Sequence, residues 1–334
     1  MVTIIDVARA AGVSPSTVSY VLSGKRSISA ETRRQVEQSI RRLGYHPNAG
    51  ARALASSKTN VLALVIPLRT DLNVPVVMEF VAAVTTEARR HDHDVLLVTK
   101  DEGPGGLKRV AGSAIADALI VMDVESADPR VPMLLALDRP AVLIGVPGHA
   151  TGLSCVDLDF AAAGAAAVRH LADQGHRSVG LVGPSPAVYE RGTSFADRFR
   201  RGFTETADAH GVRHWARPCG HSYEAAQACL AELFEADPGL TGLVVQNEAV
   251  LGPVLSDLRH RGKRVPEDVS VVAICPDSMA ENHALPLTTV SIPTDEIGAL
   301  AVEMTIRQLA GETTPETRLL SPRLTPRAST AAAR

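Results

Sequence analysis

Cysteine is scarce in this sequence: four in 334 residues (Cys155, Cys219, Cys229, Cys275), with no two at CxxC spacing. A disulfide scaffold is excluded, and free thiols in a reducing compartment are expected. No apolar run reaches the 18 residues of a membrane span, and the opening stretch carries Asp6 and Arg9, unlike a signal peptide, so a cytoplasmic chain is expected. Catalytic signatures are missing too. There is no GxSxG, and no cysteine has a histidine at diagnostic spacing. Gly103-Pro-Gly-Gly106 lacks GxGxxG or Walker spacing, and its proline suits a turn. His91-Asp92-His93 and Cys219-Gly220-His221 lack third and fourth ligands at usable spacing. A chain without metal, cofactor or enzymatic activity is expected.

Aromatics make up 3% of the chain, but 45% of it is hydrophobic and 21% charged, which is globular composition with enough apolar mass for real cores. The length suggests two or three domains. The net charge of −3 conceals an asymmetry: residues 1–58 hold nine Lys/Arg against three Asp/Glu, a net +6, and the remaining 276 hold 25 against 34, a net −9. A basic head on an acidic body points to a polyanionic partner for the head.

The head has helix punctuation at close intervals. Thr3-Ile4-Ile5-Asp6 reads as a capping box, Val7, Ala8 and Ala11 as one apolar face, and Gly12 as a left-handed C-cap. Ser14-Pro15 restarts a helix at once, with Val18, Val21 and Leu22 expected inward and Ser16, Thr17, Ser19 and Tyr20 outward. A third helix is predicted from Ala30 to Leu43, capped by Ser29, closed by Gly44 and striped by Val36, Ile40 and Leu43. Two short helices around a glycine turn with a buttressing third make a helix-turn-helix, and short hydroxyl side chains at the start of its second helix suit close approach to phosphates and base edges. A generic three-helix cap is the bland alternative. Residues 45–59 follow, where Asn48 can cap a short alanine-rich helix ending near Ser56. Such a helix is below the roughly 12–15 residues at which isolated helices become marginal, and Gly50 weakens it by about 1 kcal/mol. Leu54 on an otherwise small-residue surface suits a wedge in the minor groove.

The run from Val2 to Pro67 closely resembles the N-terminus of the lactose-repressor (LacI/GalR) family of bacterial transcriptional regulators, and the resemblance continues more loosely to about residue 328. It implies a recognition helix in the major groove and paired hinge helices in the minor groove at the operator's centre. Pro15, Ser16 and Tyr20 then match base-reading positions; Thr3, Ser14, Thr17, Ser19, Ser23, Ser29, Tyr45 and Asn48 match phosphate-contacting ones, and Ile4 and Ser27 join the DNA-binding set. Ala51 and Leu54 match hinge residues that enter the minor groove. Gly50 departs from the family's hinge helix.

From Val61 onward short apolar runs alternate with amphipathic helical stretches: 61–66, 94–98, 117–122, 141–144, 153–156, 178–183, 242–245, 269–274 and 288–292. Buried strands separated by helices predict doubly wound parallel sheets, and nine or ten strands exceed one compact sheet, so two lobes are expected. The resemblance implies a periplasmic-binding-protein-like core closing on a ligand. The expected organisation is a helix-turn-helix domain at 1–46, a hinge at 47–60 and a two-lobed core at 61–334, with lobe 1 about 61–158 and 292–328 and lobe 2 about 159–291.

Ligands of open α/β sheets sit beyond the carboxyl ends of the strands, here Pro67-Leu68-Arg69, Lys100-Asp101, Asp123, Gly145, Gly183-Pro184, Gln246-Asn247-Glu248 and Cys275-Pro276-Asp277. Candidate effector contacts are Asn73, Asp123, Arg198, Tyr223 (a stacking surface), Asn247 and Cys275, with Arg198 and Asn247 corresponding to family contacts. Cys275-Pro276 stands where relatives carry an acidic pair that holds sugar hydroxyls, and Leu72 to Val77 replaces another familiar sugar-binding segment, so a carbohydrate effector is implied only by resemblance. The C-terminal stretch from Thr325 is alanine-rich without a leucine heptad, so a homodimer on a palindromic operator is expected rather than a zipper-linked tetramer. A ligand-responsive repressor explains head, hinge and lobes together; a binding protein or sugar-modifying enzyme on the same lobes, and an architectural DNA binder that ignores ligands, explain less.

Overall fold

The structure, a computed structural model, describes residues 2–23, 26–45, 58–69, 72–101, 103–113, 115–149 and 152–334. Asn48, Gly50, Ala51 and Leu54, and with them the expected hinge helix, lie outside the described residues. Two compact units divide the chain, residues 1–60 and 61–334.

In the first unit, α1 (Ile4–Ala11), α2 (Pro15–Ser23) and α3 (Ala30–Leu43) stand where their caps place them. The Thr3 hydroxyl accepts from the Asp6 amide while the Asp6 carboxylate accepts from the Thr3 amide at 2.9 Å, closing the box. Gly12 and Gly44 end α1 and α3 at φ +66° and +59°, a conformation that costs glycine little. Val7, Ala8, Val18, Val21, Val36 and Tyr45 form the core, with Ile4, Ile28, Ile40 and Leu43 against it. Leu22 differs from expectation: it is exposed, because Val18 and Val21 already fill the face of α2 that meets its neighbours.

The second unit holds two six-stranded sheets among the described residues. The first runs in the order β11 (Thr317–Leu320), β5 (Ser154–Leu158), β4 (Ala141–Ile144), β3 (Ala118–Val121), β1 (Val61–Val65), β2 (Asp94–Val98), all parallel. The second runs β12 (Leu324–Thr325), β10 (Thr288–Ser291), β9 (Ser270–Cys275), β8 (Gly242–Val245), β6 (Ser178–Gly183), β7 (Arg213–Pro218), with only β12 antiparallel. Lobe 1 was expected to keep 292–328, but β12 pairs with β10, so the chain has crossed back to the second sheet by Leu324. Beyond it the Ser329 hydroxyl donates to the Val271 carbonyl at 2.6 Å, and Ala331 and Ser270 bond likewise. The Gly103 motif, expected as a turn, opens the helix Gly103–Gly112, where proline in the first turn loses no hydrogen bond.

Alternation along each strand sorts side chains between two faces. Leu62, Leu64 and Ile66 of the first sheet and Val244, Val272 and Ile274 of the second belong to one continuous apolar cluster, with the helices Val74–Arg90, Phe160–Asp173, Ser194–Ala209 and Thr294–Leu309. Ala63 and Val65 face an outer cluster with Leu107 and Leu134; Val245, Val271, Ala273 and Cys275 face another with Leu230 and Val254. Among the described residues no helix is long and apolar enough to cross a membrane.

Candidate nucleic-acid interface and interlobe cavity

On the head, Pro15, Ser16 and Tyr20 are exposed on α2, and the Arg26 guanidinium lies 5.8 Å from the centre of the Tyr20 ring. The Thr17 amide donates to the Ser14 hydroxyl at 3.2 Å, so exposed Ser14 caps α2, and the hydroxyl of half-buried Thr17 bonds that of Ser14 at 2.9 Å. Ser29 does the same for α3 through Thr32 at 3.2 Å. Thr3, Ser27 and Ser29 are exposed, and Ser19 is half-buried. Ile4 is half-buried against the core, and Tyr45 is a core residue, so both are packing residues first. Hydrogen bonds from Thr3 hold the exposed Asp6 carboxyl below its usual range, keeping the box charged and closed at neutral pH. The surface these caps present combines hydroxyls, helix N-terminal amides and cations, a combination suited to phosphate.

In the core, a cavity of about 170 Å³ lies where the carboxyl ends of the two sheets face each other. Its walls are mostly apolar, with Phe80, Phe160, Phe195, Ile274 and Ile292 prominent, and Phe160 and Phe195 have ring centres 5.3 Å apart. Six polar residues reach it: Asn73, Asp123, Asp157, Ser194, Gln246 and Glu248. Contacts between the lobes flank it. Ser126 N donates to Gly192 O at 2.8 Å and Ser194 N to Val124 O at 3.0 Å; Glu79 accepts from Ser278 across the lobes at 3.2 Å and, within lobe 1, from Thr294 at 2.9 Å.

The first lobe's acids are already matched. Asp123 is paired with Arg69, which also binds Asp101 at 3.0 Å. Asp157 accepts from Arg198 at 2.7 Å, and Arg198 also donates to the Leu158 carbonyl at 3.1 Å. Burial nonetheless pushes the Asp157 carboxyl up to about 6, with Arg198 holding it back from rising further. The second lobe differs. Gln246, 4% exposed, has both its amide oxygen and nitrogen buried without a hydrogen-bond partner, and it lines the cavity. Burial likewise drives the Glu248 carboxyl up to about 7, against a hydrogen bond from Asn73.

Of the expected effector residues, Asn73 and Asp123 line the cavity and the other four do not. Arg198 instead supports Asp157 from behind. Tyr223 opens the helix Tyr223–Ala236, and its hydroxyl bonds His260 at 2.8 Å, away from the cavity. Asn247 turns outward and donates to the Cys219 carbonyl at 2.6 Å. Cys275 is buried on the outer face of its strand, its thiol pushed to about 12 by burial, while Ile274 takes the cavity side. The polar lining residues missed are Asp157, Ser194, Gln246 and Glu248. For Gln246 strand parity was the available signal: Val244 faces inward, so Gln246 follows it, and Val245 faces away; Glu248 lies beyond the strand, in the turn Glu248–Val250, where parity gives no signal. Among the described residues no group of three or more His, Cys, Asp or Glu is placed to hold a metal ion.

Comparison with known proteins agrees with both units. Residues 3–48 match the family of bacterial regulatory proteins, lacI family, and residues 168–330 match the periplasmic binding protein-like domain. The HTH-type transcriptional regulator AglR of Rhizobium meliloti (strain 1021) is 30% identical over 335 residues, covering 96% of this chain and 91% of AglR. The solved complex of the transcriptional regulator CelR with cellobiose has 26% identity and a TM-score of 0.70, covering 98% of this chain and all of that one. The lac repressor dimer bound to operator and the anti-inducer ONPF shares the fold, with 23% identity, a TM-score of 0.86 and 99% of both chains covered. With a helix-turn-helix head, a two-lobed core and relatives spanning nearly its whole length, the chain belongs to the LacI family of ligand-responsive, DNA-binding transcriptional regulators.

Proposed function

We propose that this regulator is a repressor that binds an approximately palindromic operator as a homodimer and changes its affinity when a small hydroxylated ligand of the saccharide class enters the interlobe cavity. The observation that carries the ligand half is Gln246, a residue lining a cavity with aromatic and aliphatic walls, whose amide donor and acceptor are both buried without a partner. Leaving such groups unmatched costs on the order of 1–3 kcal/mol, which a ligand presenting hydroxyls to the amide would recover. The apolar walls suit the C–H faces of a sugar ring, and CelR, a relative over the full length, is solved with cellobiose. Asn73, Asp123, Asp157, Ser194, Gln246 and Glu248 form the polar contact set; Arg198 and Asn247 act behind it as positioning residues.

In the head, Pro15, Ser16 and Tyr20 read base edges, while Thr3, Ser14, Thr17, Ser19, Ser23, Ser27 and Ser29 meet phosphates; Asn48, Ala51 and Leu54 serve in the hinge, with Leu54 as the minor-groove wedge. Dimerisation is supported by the first sheet's open edge at β2, where Leu97 is exposed, and by Val74 and Met78, exposed on the helix Val74–Arg90. The protein acts in the cytoplasm without catalysis, in keeping with relatives that are regulators. The ligand acts through its differential affinity for two lobe arrangements, typically 1–3 kcal/mol of coupling.

Selection of the full chain against random duplex DNA at fixed salt tests the DNA half. An enriched palindrome with two half-sites is expected; salt-sensitive binding with no sequence preference would overturn it in favour of an architectural role.

A further inference from the structure

The polar set of the interlobe cavity also restricts the charge of what can enter. Among the described residues the cavity is lined by three carboxylates, Asp123, Asp157 and Glu248, and by no lysine, arginine or histidine. Two of the three are neutralised by cations that stand outside the lining, Asp123 by Arg69 and Asp157 by Arg198. Glu248 has no such cation: none of the described basic side chains pairs with it. Burial outweighs the bond from its own backbone amide and lifts its carboxyl to about 7. Two positions upstream lies Gln246, 4% exposed, whose amide oxygen is a second acceptor with no donor in the folded chain.

These acceptors discriminate between ligand charges. An anion would meet a wall that holds carboxylates and no cation. A neutral hydroxyl can satisfy the Gln246 amide but leaves the Glu248 charge uncompensated. An ammonium brings three donors and no acceptor, which matches a carboxylate and an amide oxygen in one wall, and its bonds to the carboxylate are charge-assisted. Phe80, Phe160 and Phe195 line the same space, and aromatic rings receive a desolvated cation better than aliphatic walls do.

We propose that the effector carries a protonated amine and is, within the saccharide class, an amino sugar whose ammonium pairs with Glu248 and donates to the Gln246 amide oxygen. The inference rests on the interlobe cavity being the saccharide site. Glu248 then selects for charge, while the Gln246 amide nitrogen remains free to donate to a ring hydroxyl, as it would for any sugar. Sugar phosphates and uronic acids are disfavoured by the same wall.

The test is calorimetric titration of the full chain at pH 7 with matched sugars of the gluco, galacto and manno series. Each series supplies the free sugar, its 2-amino form and its N-acetylated form, with glucuronate and galacturonate as anions. In at least one series the amino sugar is expected to bind roughly tenfold tighter than the free sugar. Acetylation, which keeps the nitrogen and removes the charge, is expected to abolish that gain, and the uronates are expected to bind weakest. Glu248→Gln is expected to bring the amino and free sugars level while keeping the affinity for the free sugar, which also shows that the variant is folded. Should that variant bind nothing, the wild-type comparison of amine with acetylated amine decides alone. Free sugars that bind as tightly as their amino forms in every series would overturn the amine and leave the saccharide reading standing. An amine preference that survives Glu248→Gln would overturn the role of Glu248. No binding by any member of any series would contradict the saccharide reading itself, and the amine with it.

Discussion

The two lobes are built alike but prepared differently for a ligand. In the first, each acid at the cavity has an arginine, Asp123 with Arg69 and Asp157 with Arg198, although Arg198 comes from a helix of the second lobe. In the second, Gln246 has no partner and Glu248 is desolvated until its carboxyl titrates near neutrality. Satisfied groups hold the scaffold, and unsatisfied ones wait for something to bind. The helix crossings differ as well. A Cβ on Gly202 would lie 1.9 Å from the Ala161 carbonyl oxygen, so the helices Phe160–Asp173 and Ser194–Ala209 touch backbone to backbone. At the matching crossing in lobe 1, a Cβ on Gly298 would lie 2.6 Å from the Ala83 methyl.

The largest expected effect breaks the tighter crossing. Gly202→Ala runs into backbone and is expected to cost about 3 kcal/mol or more, whereas Gly298→Ala, which meets the Ala83 methyl fixed to its own helix, is expected to cost less, about 1–3 kcal/mol, part of the clash being offset by alanine's helix propensity. Urea denaturation of both variants checks this, and equal losses would erase the distinction. Arg198→Ala leaves Asp157 buried with its counter-ion gone and is expected to cost about 3 kcal/mol at pH 8; adding Asp157→Asn should restore most of the loss. Failure of that rescue would mean that Arg198 acts by packing alone.

Glu248 reverses the sign. Its folded carboxyl is raised from 4.5 to about 7, so the neutral form is favoured on folding, and stability present below about pH 4.5 is lost as pH rises through 7. Asp157, raised from 3.8 to about 6, adds a loss of the same sign at lower pH. Glu248→Gln is expected to gain about 2 kcal/mol at pH 8 and little at pH 5. Denaturation at the two pH values decides it, since a pH-independent gain would remove titration as the cause. Gln246→Leu is the smallest effect, a gain of about 1 kcal/mol in the free protein from replacing two unmatched polar atoms. A melting temperature that falls instead would mean that the amide has a structural partner.

The head was legible almost to the residue because its signals are local. Thr3, Gly12, Ser14, Ser29 and Gly44 each mark a helix end within a few positions of where they act. The strands that escaped notice, β7, β11 and β12, lie at sheet edges, where Arg213–Pro218 and Thr317–Leu320 need no continuous apolar run. The cavity was legible in location but not in membership. Strand ends gave the place, yet choosing Asn247 over Gln246, or Cys275 over Ile274, required knowing which face of each strand looks inward, and that depends on which helices cover the sheet. Arg198 and Tyr223 went astray for a related reason: long side chains find partners, Asp157 and His260, that lie 41 and 37 residues away in sequence.

The most direct measurement is the affinity of the full chain for its selected operator duplex, titrated with a panel of mono- and disaccharides that includes cellobiose, in wild type and in Gln246→Leu. At least one saccharide should shift wild-type affinity by roughly 5–150-fold and leave the folded Gln246→Leu variant unmoved. A panel that shifts neither protein, or one that shifts both equally, would contradict the assignment of the unpartnered amide as the group that reads the ligand.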